Sequence, residues 1–504
     1  GGGASGTSAA YFIHQAFQDN PTFEVQLTLY EKSNQTGGRS QVVHPPAPFQ
    51  DLLVEVGASI FVKENRHMVE FTRAAGLELV EAQRKRRETG RSRMGVWNGE
   101  GFNYLSSGWR VWDMAKFIWN YGVITPTKVS MLVNEFLNKF RPIYDEAGPF
   151  TTMQDWLSHL GLQDSASQSA RTTLAAKSHL DPAYLNDIVE ISTRVNYAQS
   201  LDVIHTIGMA VSMVPTTDQE YHVGEGNYRV FEYLQRESGA EIRMESSVGA
   251  VVKMTTEETG SVVYDVVTID GRTERFDAVV VATPLNQYRE APIQFHNLEG
   301  QGVRDLPPAV DVEYRTLHVT VVLGQIRPAY FNRAPGKPGG NVLLLSSSSS
   351  TVTTVPETIF STQAAADGPN TPFTSISAHH FLAEPQIREY LRLHQHQHPE
   401  LNPEDLDYGL EFTITKIFSP AELSDVQLAE FYASRLWVDR RVFKSYPVLQ
   451  PRKVDEFPPI LLDTQLYYPN AFEPFISTME TSILSAKNVA GLVYKDLTKV
   501  DVEA

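Results

Sequence analysis

Gly1-Gly2-Gly3-Ala4-Ser5-Gly6 begins the chain, and the run from Thr7 to Phe17 that follows it is predicted to form a helix. Asn20-Pro21 ends that helix, and Val25 to Tyr30 alternates as a strand does. Glycines spaced G-x-G-x-x-G let backbone approach a pyrophosphate, while the helix N-terminus supplies N–H donors and positive dipole. Gly1, Gly3, Ser5 and Gly6 are therefore predicted to bind a dinucleotide. The alternative is a glycine-rich tail before a surface helix.

Two features after the strand indicate which dinucleotide is bound. Glu31 lies at the strand end, where an acidic residue accepts hydrogen bonds from the adenosine ribose. A second turn, Gly37-Gly38-Arg39, is typical of flavin proteins resembling the amine oxidase and phytoene desaturase superfamily. There the arginine and the glycine amides meet the FAD diphosphate and ribityl chain. These features favour FAD, although Gly37-Gly38 taken alone could be a surface turn.

The composition is that of a globular protein. The chain has 504 residues, of which 42% are hydrophobic and 20% charged, and this length predicts two or three domains. Its 43 Lys and Arg against 60 Asp and Glu give a net charge of −17, which argues against a nucleic-acid partner. The sequence contains no cysteine, which excludes disulfides, thiolate metal sites and a cysteine nucleophile. No apolar run is long enough to span a bilayer.

Later segments contain further candidates for the FAD site. Gly57, Ala58 and Ser59 are small residues after a short strand, where a flat isoalloxazine edge could lie against backbone. The superfamily resemblance implies that the backbone of Val248 meets adenine and that Ala282-Thr283 forms the turn beside FAD. It also implies that Met479 and Glu480 begin a helix aimed at the flavin, whose dipole stabilises negative charge there.

The order of these segments predicts an α/β fold in which a Rossmann-like FAD-binding domain is interrupted by an inserted mixed α+β substrate domain. Residues 1–75, 221–290 and 441–504 are assigned to the FAD-binding domain. Residues 76–220 are assigned to the helical part of the substrate domain, and residues 291–440 to its mixed sheet and helices. The glycine loop ordinarily follows a central parallel strand, so we expect the natural protein to include a strand upstream of Gly1, together with a signal sequence.

Local patterns predict individual elements. They predict one meander strand over Arg275–Ala282, substrate-domain strands over Arg315–Leu323 and Leu410–Phe418, and helices near 384–395 and 424–435. The Ser/Thr/Pro-rich stretch from Ser346 to Pro372 is predicted to be a mobile loop.

Trp109 to Tyr121 contains three of the six tryptophans. Such a cluster is consistent with core packing, with an apolar substrate channel, or with contact to a membrane surface. His394, His396 and His398 alternate in a polar segment that offers no second ligand group, so no metal site is predicted.

The chain resembles the prenylcysteine oxidase family, also called the prenylcysteine lyase family, over nearly its whole length. The matching segments are Arg194 to Ser200 (RVNYAQS), Val279 to Asn286 (VVVATPLN), Phe117 to Gly122, Lys416 to Ser419, and Leu466 to Asn470. The chain departs from the family pattern at a few positions near the pocket. Ala198 and Ala471-Phe472 replace glycines, and Phe61-Val62 stands where the animal proteins carry Ile-His.

This resemblance implies an FAD-dependent oxidase that cleaves the thioether of farnesyl- or geranylgeranyl-cysteine. The products would be cysteine, the prenyl aldehyde and hydrogen peroxide, with O₂ as the oxidant. The alternatives are a same-fold oxidase acting on another thioether or amine, and a non-catalytic binding protein on this scaffold. The family also implies a lysosomal, vacuolar or secretory location and leaves peripheral membrane contact open.

Few side chains are candidates for a catalytic role. By analogy with amine oxidases, Lys416 could hold a water near the flavin, and His205 or His222 could assist water addition. Arg194 or Tyr197 could bind the substrate carboxylate. We predict Lys416, His205 and Tyr197 as catalytic residues. We predict Arg194, Trp119 and Tyr121 as substrate-binding residues.

Overall fold

The computed structural model describes residues 1–81, 94–145, 148–257, 259–285, 293–299, 311–332, 355–366, 371–397, 399 and 403–498. The α-helices of this part of the chain are α1 (Ala4–Phe17), α2 (Arg66–Ala74), α3 (Arg110–Tyr121), α4 (Ile124–Phe140), α5 (Met153–Leu160), α6 (Gln163–Ala166), α7 (Ala170–Ala175), α8 (Pro182–Tyr184), α9 (Glu190–Tyr197), α10 (Thr206–Met213), α11 (Tyr228–Glu237), α12 (Gln363–Ala366), α13 (Glu384–His394), α14 (Asp425–Phe431) and α15 (Met479–Thr498).

The strands are short near the chain ends and long in the middle of the chain. They are β1 (Thr28–Tyr30), β2 (Val42–Val43), β3 (Val54–Glu55), β4 (Phe61–Val62), β5 (Leu79–Glu81), β6 (Met94–Trp97), β7 (Phe102–Leu105), β8 (Glu220–Val223), β9 (Glu241–Arg243), β10 (Val248–Thr255), β11 (Val262–Thr268), β12 (Thr273–Phe276), β13 (Val279–Val280), β14 (Gln294–His296), β15 (Tyr314–Ile326), β16 (Thr358–Ser361), β17 (Ser375–Leu382), β18 (Phe412–Ser419), β19 (Tyr432–Pro447), β20 (Leu461–Asp463) and β21 (Leu466–Tyr467).

The first α/β unit forms around the glycine-rich start of the chain. Helix α1 begins at Ala4, earlier than predicted, and its small buried residues pack against α15 from the other end of the chain. Strand β1 pairs in parallel with β9, and β13 pairs in parallel with β21. Parallel pairing between segments so distant in sequence means that the beginning, middle and end of the chain build one layered unit.

The second unit is a seven-stranded sheet with the order β19-β15-β18-β17-β16-β6-β7. Strand β15 lies between β18 and β19, and it is antiparallel to both. All eight residues of β18 are buried because helices and loops cover both of its faces. This sheet holds Lys416, which lies on β18, in a fixed position.

Four predicted elements differ from the structure. The predicted loop from Ser346 to Pro372 contains strand β16 and helix α12 in its described part. The helix expected near 424–435 ends at Phe431, and Tyr432 begins the long strand β19 instead, because pairing with β15 overrides local helix propensity. The strand expected over Arg275–Ala282 is divided between the antiparallel β12 and the parallel β13. The region 76–220 is largely helical, yet its strands β6 and β7 extend the seven-stranded sheet.

Some predicted features lie outside the described residues, namely the loop residues Ser346 to Ser350, His398 and Asn286. Within the described ranges, none of the helices is both long and apolar enough to cross a membrane.

Ala198 ends helix α9 with φ 54° and ψ 35°, in the left-handed region. Its backbone N–H donates to the carbonyl of Arg194 at 2.9 Å, which closes the helix. A residue with a side chain is strained in this conformation, and glycine is not. This is a physical reason for the glycine at this position in the family that the chain resembles.

We therefore predict that Ala198→Gly raises the free energy of unfolding by about 0.5–1 kcal/mol, because it relieves left-handed strain. The control is Ala429→Gly, on the exposed side of α14, which should lower the free energy of unfolding by about 1 kcal/mol. Chemical denaturation of the three proteins measures both effects. A loss of stability in Ala198→Gly would contradict the strain argument.

Candidate functional site

A cavity of about 1080 Å³ lies between the two units. One part of its apolar wall comes from α4, whose residues reach it at helical spacing. These residues are Val129, Val133, Phe136, Leu137 and Phe140. Other parts come from strands β16, β17 and β18, from helix α9, from the β3–β4 region and from the N-terminus of α15. The cavity has the size and lining of a site for a small apolar ligand.

Lys416 is the buried cation of this cavity. Its Nζ donates to the carbonyl oxygen of Glu55 at 2.8 Å and to Ser59 Oγ at 2.9 Å. Burial lowers the pKa of Lys416 to about 8, against a smaller opposing effect of Glu55. A lysine with this pKa is in part a neutral amine near pH 8, and it can therefore accept a proton.

Glu55 is a second buried titratable group on the cavity wall, and the sequence reasoning did not single it out as a site residue. One oxygen accepts from the Asn227 N–H at 2.6 Å, and the other has no hydrogen-bond partner among the described residues. Burial raises the pKa of Glu55 to about 8, although the Asn227 N–H and Lys416 oppose this. A lone carboxylate between Val54 and Val56 in a buried strand was the available sequence signal.

The start of α15 lines the cavity through Ser477, Thr478 and Met479. The N-terminus of a helix carries partial positive charge, so this position suits a group that becomes negative. The carboxylate of Glu480 accepts hydrogen bonds from the backbone N–H groups of His67 and Met68, each at 2.9 Å. Its side chain thus caps α2. Glu480 also lines the cavity, and the cofactor contact expected at the start of α15 stays a prediction.

The glycine loops approach one another through backbone. A Cβ on Gly6 would lie 1.8 Å from the carbonyl oxygen of Gly1, and one on Gly1 would lie 2.5 Å from that of Ala282. Gly3 forms an isolated parallel β-bridge with Gly37, and the N–H of Gly37 donates to the carbonyl oxygen of Gly2 at 2.8 Å. The structure therefore brings the first loop, the second glycine turn and the Ala282 turn together.

The predicted Gly38, Gly57, Ala58, Thr283 and Val248 lie at the edges of this arrangement. A Cβ on Gly3 would meet the Cα of Gly38 at 3.5 Å, and one on Gly57 would lie 1.8 Å from the Arg39 carbonyl oxygen. Ala58 and Gly57 also line the cavity. Thr283 follows Ala282 directly, and Val248 begins β10.

Ser5 and Glu31 complete the first loop. Ser5 is buried in the first turn of α1. The Glu31 carboxylate accepts from the backbone N–H groups of Gly2 and Ser33. Although burial raises the pKa of Glu31, these hydrogen bonds outweigh it and lower the pKa overall, so the group is an anion at neutral pH. These backbone cradles fit a dinucleotide, because its pyrophosphate needs close backbone approach and its ribose needs a carboxylate.

The guanidinium of Arg39 already has protein partners. Its guanidinium pairs with the buried Glu473 and donates to the carbonyl of Ser445 at 2.9 Å. Tyr314 donates to the same Glu473 carboxylate. The predicted contact of this guanidinium with a diphosphate does not fit this pairing, and Arg39 instead connects the glycine turn to strand β19.

Tyr197 lines the cavity, and its buried hydroxyl has no hydrogen-bond partner in the described part of the chain. Its ring packs edge-on against Tyr446, which also lines the cavity, with 5.6 Å between ring centroids. Arg194 is one turn away on α9 and donates to the carbonyl of Ser361 at 3.2 Å. Tyr197 is thus placed to meet a ligand, whereas Arg194 is not among the lining residues.

His205 does not reach the cavity. It is fully buried, its Nδ1 accepts from the Gly208 N–H at 3.0 Å, and its Nε2 lies 3.2 Å from the carbonyl of Pro474. Burial lowers the pKa of His205 to about 4, so the ring is a neutral helix cap. The prediction of a catalytic His205 is wrong for this position, while His222 does line the cavity.

The predicted substrate-binding aromatics also lie apart from the lining. Tyr121 is buried behind it, with its hydroxyl 3.3 Å from Asp187 Oδ2, and Trp119 is 65% exposed to solvent. Phe117, from the same helix, lines the cavity instead. As for metals, the residues that the structure describes contain no group of three His, Asp or Glu suited to an ion.

The family model described as prenylcysteine lyase matches residues 104–503, and a model of an NAD(P)-binding Rossmann-like domain matches residues 1–75. The chain belongs to the prenylcysteine lyase family. The resemblance and the Rossmann-like fold predicted from the sequence are both confirmed.

Relatives agree with this family assignment, and a solved structure shares the fold. Prenylcysteine oxidase 1 from Homo sapiens is 28% identical, covering 98% of this chain and 88% of the relative. Farnesylcysteine lyase from Arabidopsis thaliana is 25% identical, covering 98% of this chain and 87% of the relative. The structure of cyclohexylamine oxidase from Brevibacterium oxydans shares the fold, with a TM-score of 0.56 at 12% identity, covering 99% of this chain and 98% of that structure.

The glycine packing leads to a binding prediction. Gly6→Ala should abolish retention of the dinucleotide, because its Cβ would displace the carbonyl of Gly1 from the loop. The matched control is Gly101→Ala, where a Cβ meets nothing within 4 Å, and this variant should keep the cofactor. Cofactor content after gel filtration measures both, and equal content in the two variants would contradict the prediction.

Proposed function

We propose that this protein is an FAD-dependent oxidase that cleaves the thioether of S-prenyl-L-cysteine, with a farnesyl or geranylgeranyl chain. The products are cysteine, the prenyl aldehyde and hydrogen peroxide, formed with O₂ and water. The observation that carries the proposal is a large apolar cavity that ends at Lys416 and at the N-terminus of α15, in a member of the prenylcysteine lyase family.

The cavity supports binding of the prenyl chain. Phe117, Val133 and Phe136 present apolar surface, and each buried CH₂ group of the ligand contributes about 0.8 kcal/mol. The same surface excludes bulk water, which keeps solvent from the reacting carbon until the thioether is in place. The hydroxyl of Tyr197 is a donor available to the polar cysteine end.

The backbone cradles support FAD as the dinucleotide. Glu31 suits the ribose, the turns at Gly3 and Gly37 suit the diphosphate, and the Gly57 and Met479 segments border the cavity where the flavin ring would lie. When bound, FAD supplies the hydride acceptor and passes the electrons to O₂.

The reaction balances with one water. Hydride leaves the allylic carbon next to sulfur, and the sulfur lone pair stabilises the cation that remains. Water adds to that carbon and loses a proton, which gives a hemithioacetal. Its C–S bond then breaks to form the aldehyde, while the thiol of cysteine takes a proton. The protein must therefore align the allylic carbon and accept one proton from water.

Lys416 is suited to accept that proton. It is the cation of the cavity whose pKa burial lowers to about 8, and Glu55 and Ser59 hold its Nζ in place. The neutral amine, not the ammonium, accepts a proton, so this role becomes available as pH rises through about 8.

The direct test of the function is an assay of the full-length protein with S-farnesyl-L-cysteine. We expect a yellow protein with the absorption of oxidised flavin, and equal amounts of hydrogen peroxide, cysteine and farnesal. A panel of amines and of thioethers without a prenyl group should release much less peroxide. A colourless protein, or peroxide release only from an amine, would overturn the proposal.

The role of Lys416 gives a pH prediction. In the unmodified protein kcat should rise from pH 7 to pH 9, with its midpoint at about 8. Lys416→Met should lower kcat by about 100-fold and flatten the profile, because no amine accepts the proton. Lys416→Arg should be equally slow, because arginine stays protonated.

Two controls separate this role from other effects. Lys444→Met, at a lysine of strand β19 whose Nζ donates to the hydroxyl of Thr316 at an exposed position, should keep both rate and profile. Glu55→Gln removes the other group that titrates near pH 8, and it should move the midpoint to lower pH without removing it, because Glu55 raises the pKa of Lys416. Loss of the midpoint in Glu55→Gln, with Lys416→Met still fast, would assign the titration to Glu55 instead.

A further inference from the structure

Helix α3 and the residues that flank it expose apolar side chains to solvent. We call this surface the tryptophan face, and its members are Trp109, Val111, Trp112, Met114, Ile118, Trp119, Val123 and Ile124. Trp109 is 79% exposed and Val111 is 86% exposed. A cluster of exposed apolar side chains of this kind marks an interaction site.

Asp113 and Lys116, two charged residues of α3, contact the neighbouring backbone. Asp113 accepts the backbone N–H groups of Ser107 at 2.6 Å and Gly108 at 2.9 Å, at the start of the helix. The Nζ of Lys116 reaches the carbonyl of Leu105 at 3.5 Å. The polar side of this helix is therefore held against protein, and the apolar side faces solvent.

An ordinary surface helix of the same protein shows the opposite pattern. Helix α13 buries Ile387, Tyr390 and Leu391, while its Glu389 and Arg392 form an exposed ion pair. A helix that faces only water takes this second pattern, because apolar side chains are stabilised by burial. The inversion in α3 thus requires an apolar environment outside the protein.

The tryptophan face adjoins the cavity. Phe117, between Met114 and Ile118 of the face on α3, lines the cavity. On the next helix Ile124 belongs to the face, while Pro126 and Val129 line the cavity. One pair of helices therefore has the cavity on one side and the exposed apolar surface on the other.

We propose that the tryptophan face docks on the surface of a lipid bilayer, so that the protein takes its prenylated substrate from the membrane. This rests on the proposed function for its purpose, although the docking can be measured without turnover. Tryptophan is the side chain that lipid headgroup regions favour, and the face presents three of them among aliphatic neighbours. The net charge of −17 disfavours attraction to anionic lipid, so the occupant is a zwitterionic bilayer held by apolar insertion.

The test is flotation of the full-length protein with phosphatidylcholine vesicles, without substrate. We expect the unmodified protein to float with the vesicles, and added anionic phosphatidylglycerol to leave binding unchanged or weaker. The double variant Met114→Glu/Ile118→Glu should lower the partition coefficient at least about tenfold, because it places two carboxylates in the apolar contact.

The matched control is Val426→Glu/Val442→Glu. These valines are 75% and 54% exposed on α14 and β19, against 64% and 45% for Met114 and Ile118, so both double variants add two charges at surface positions. The control should float like the unmodified protein. Both variants should keep the thermal unfolding temperature, which establishes that neither acts by unfolding.

The outcomes separate the docking from the catalytic proposal. Failure of the unmodified protein to float, or equal flotation of the two double variants, would overturn the docking. A dimer that Met114→Glu/Ile118→Glu splits, without vesicle binding, would also overturn it and make the face a protein interface. Flotation as expected from a protein that cannot cleave farnesylcysteine would overturn the proposed function and leave the docking in place.

Discussion

The contact of backbone with backbone at the glycine loops is the constraint on which the cofactor half of this protein depends. Gly6 touches Gly1, Gly1 touches the Ala282 turn, and Gly3 forms a bridge with Gly37. These contacts join segments from the beginning and the middle of the chain. Helix α15, from the end of the chain, packs on α1, the helix that follows the first glycine loop. Any side chain at Gly1 or Gly6 would separate them, so glycine there determines both the fold and the space for a pyrophosphate.

A second interaction connects this unit to the seven-stranded sheet. Lys416 reaches from β18 to the strand that carries Glu55, and Arg39, which pairs with Glu473, reaches the carbonyl of Ser445 on β19. Each places a charge in a protein interior, which is stable only because partners surround it. The cost of burying Lys416 appears as its lowered pKa, and that same shift makes the amine useful as a proton acceptor. The junction of the two units is thus also the reactive end of the cavity.

The cavity and the tryptophan face show how one helix pair can serve two apolar ligands. Helix α4 contributes part of the apolar cavity wall, while α3 exposes apolar side chains to solvent. In the docking that we propose, both surfaces serve a prenyl thioether, because its long hydrocarbon would pass from one apolar environment into another without crossing water.

Much of this could be predicted from the residues alone, since glycine spacing, strand alternation and the Lys416 segment depend on local backbone chemistry. The sequence by itself determined the dinucleotide unit, the family and the presence of a lysine on a strand of the substrate domain. Only the tertiary structure decided which side chains meet the cavity. It placed His205 in the core as a helix cap, directed Arg39 to Glu473 and brought Glu55 beside Lys416. The physical reason is that the burial of a side chain and its hydrogen-bond and ion-pair partners depend on packing between segments far apart in the chain. No local sequence pattern encodes that packing.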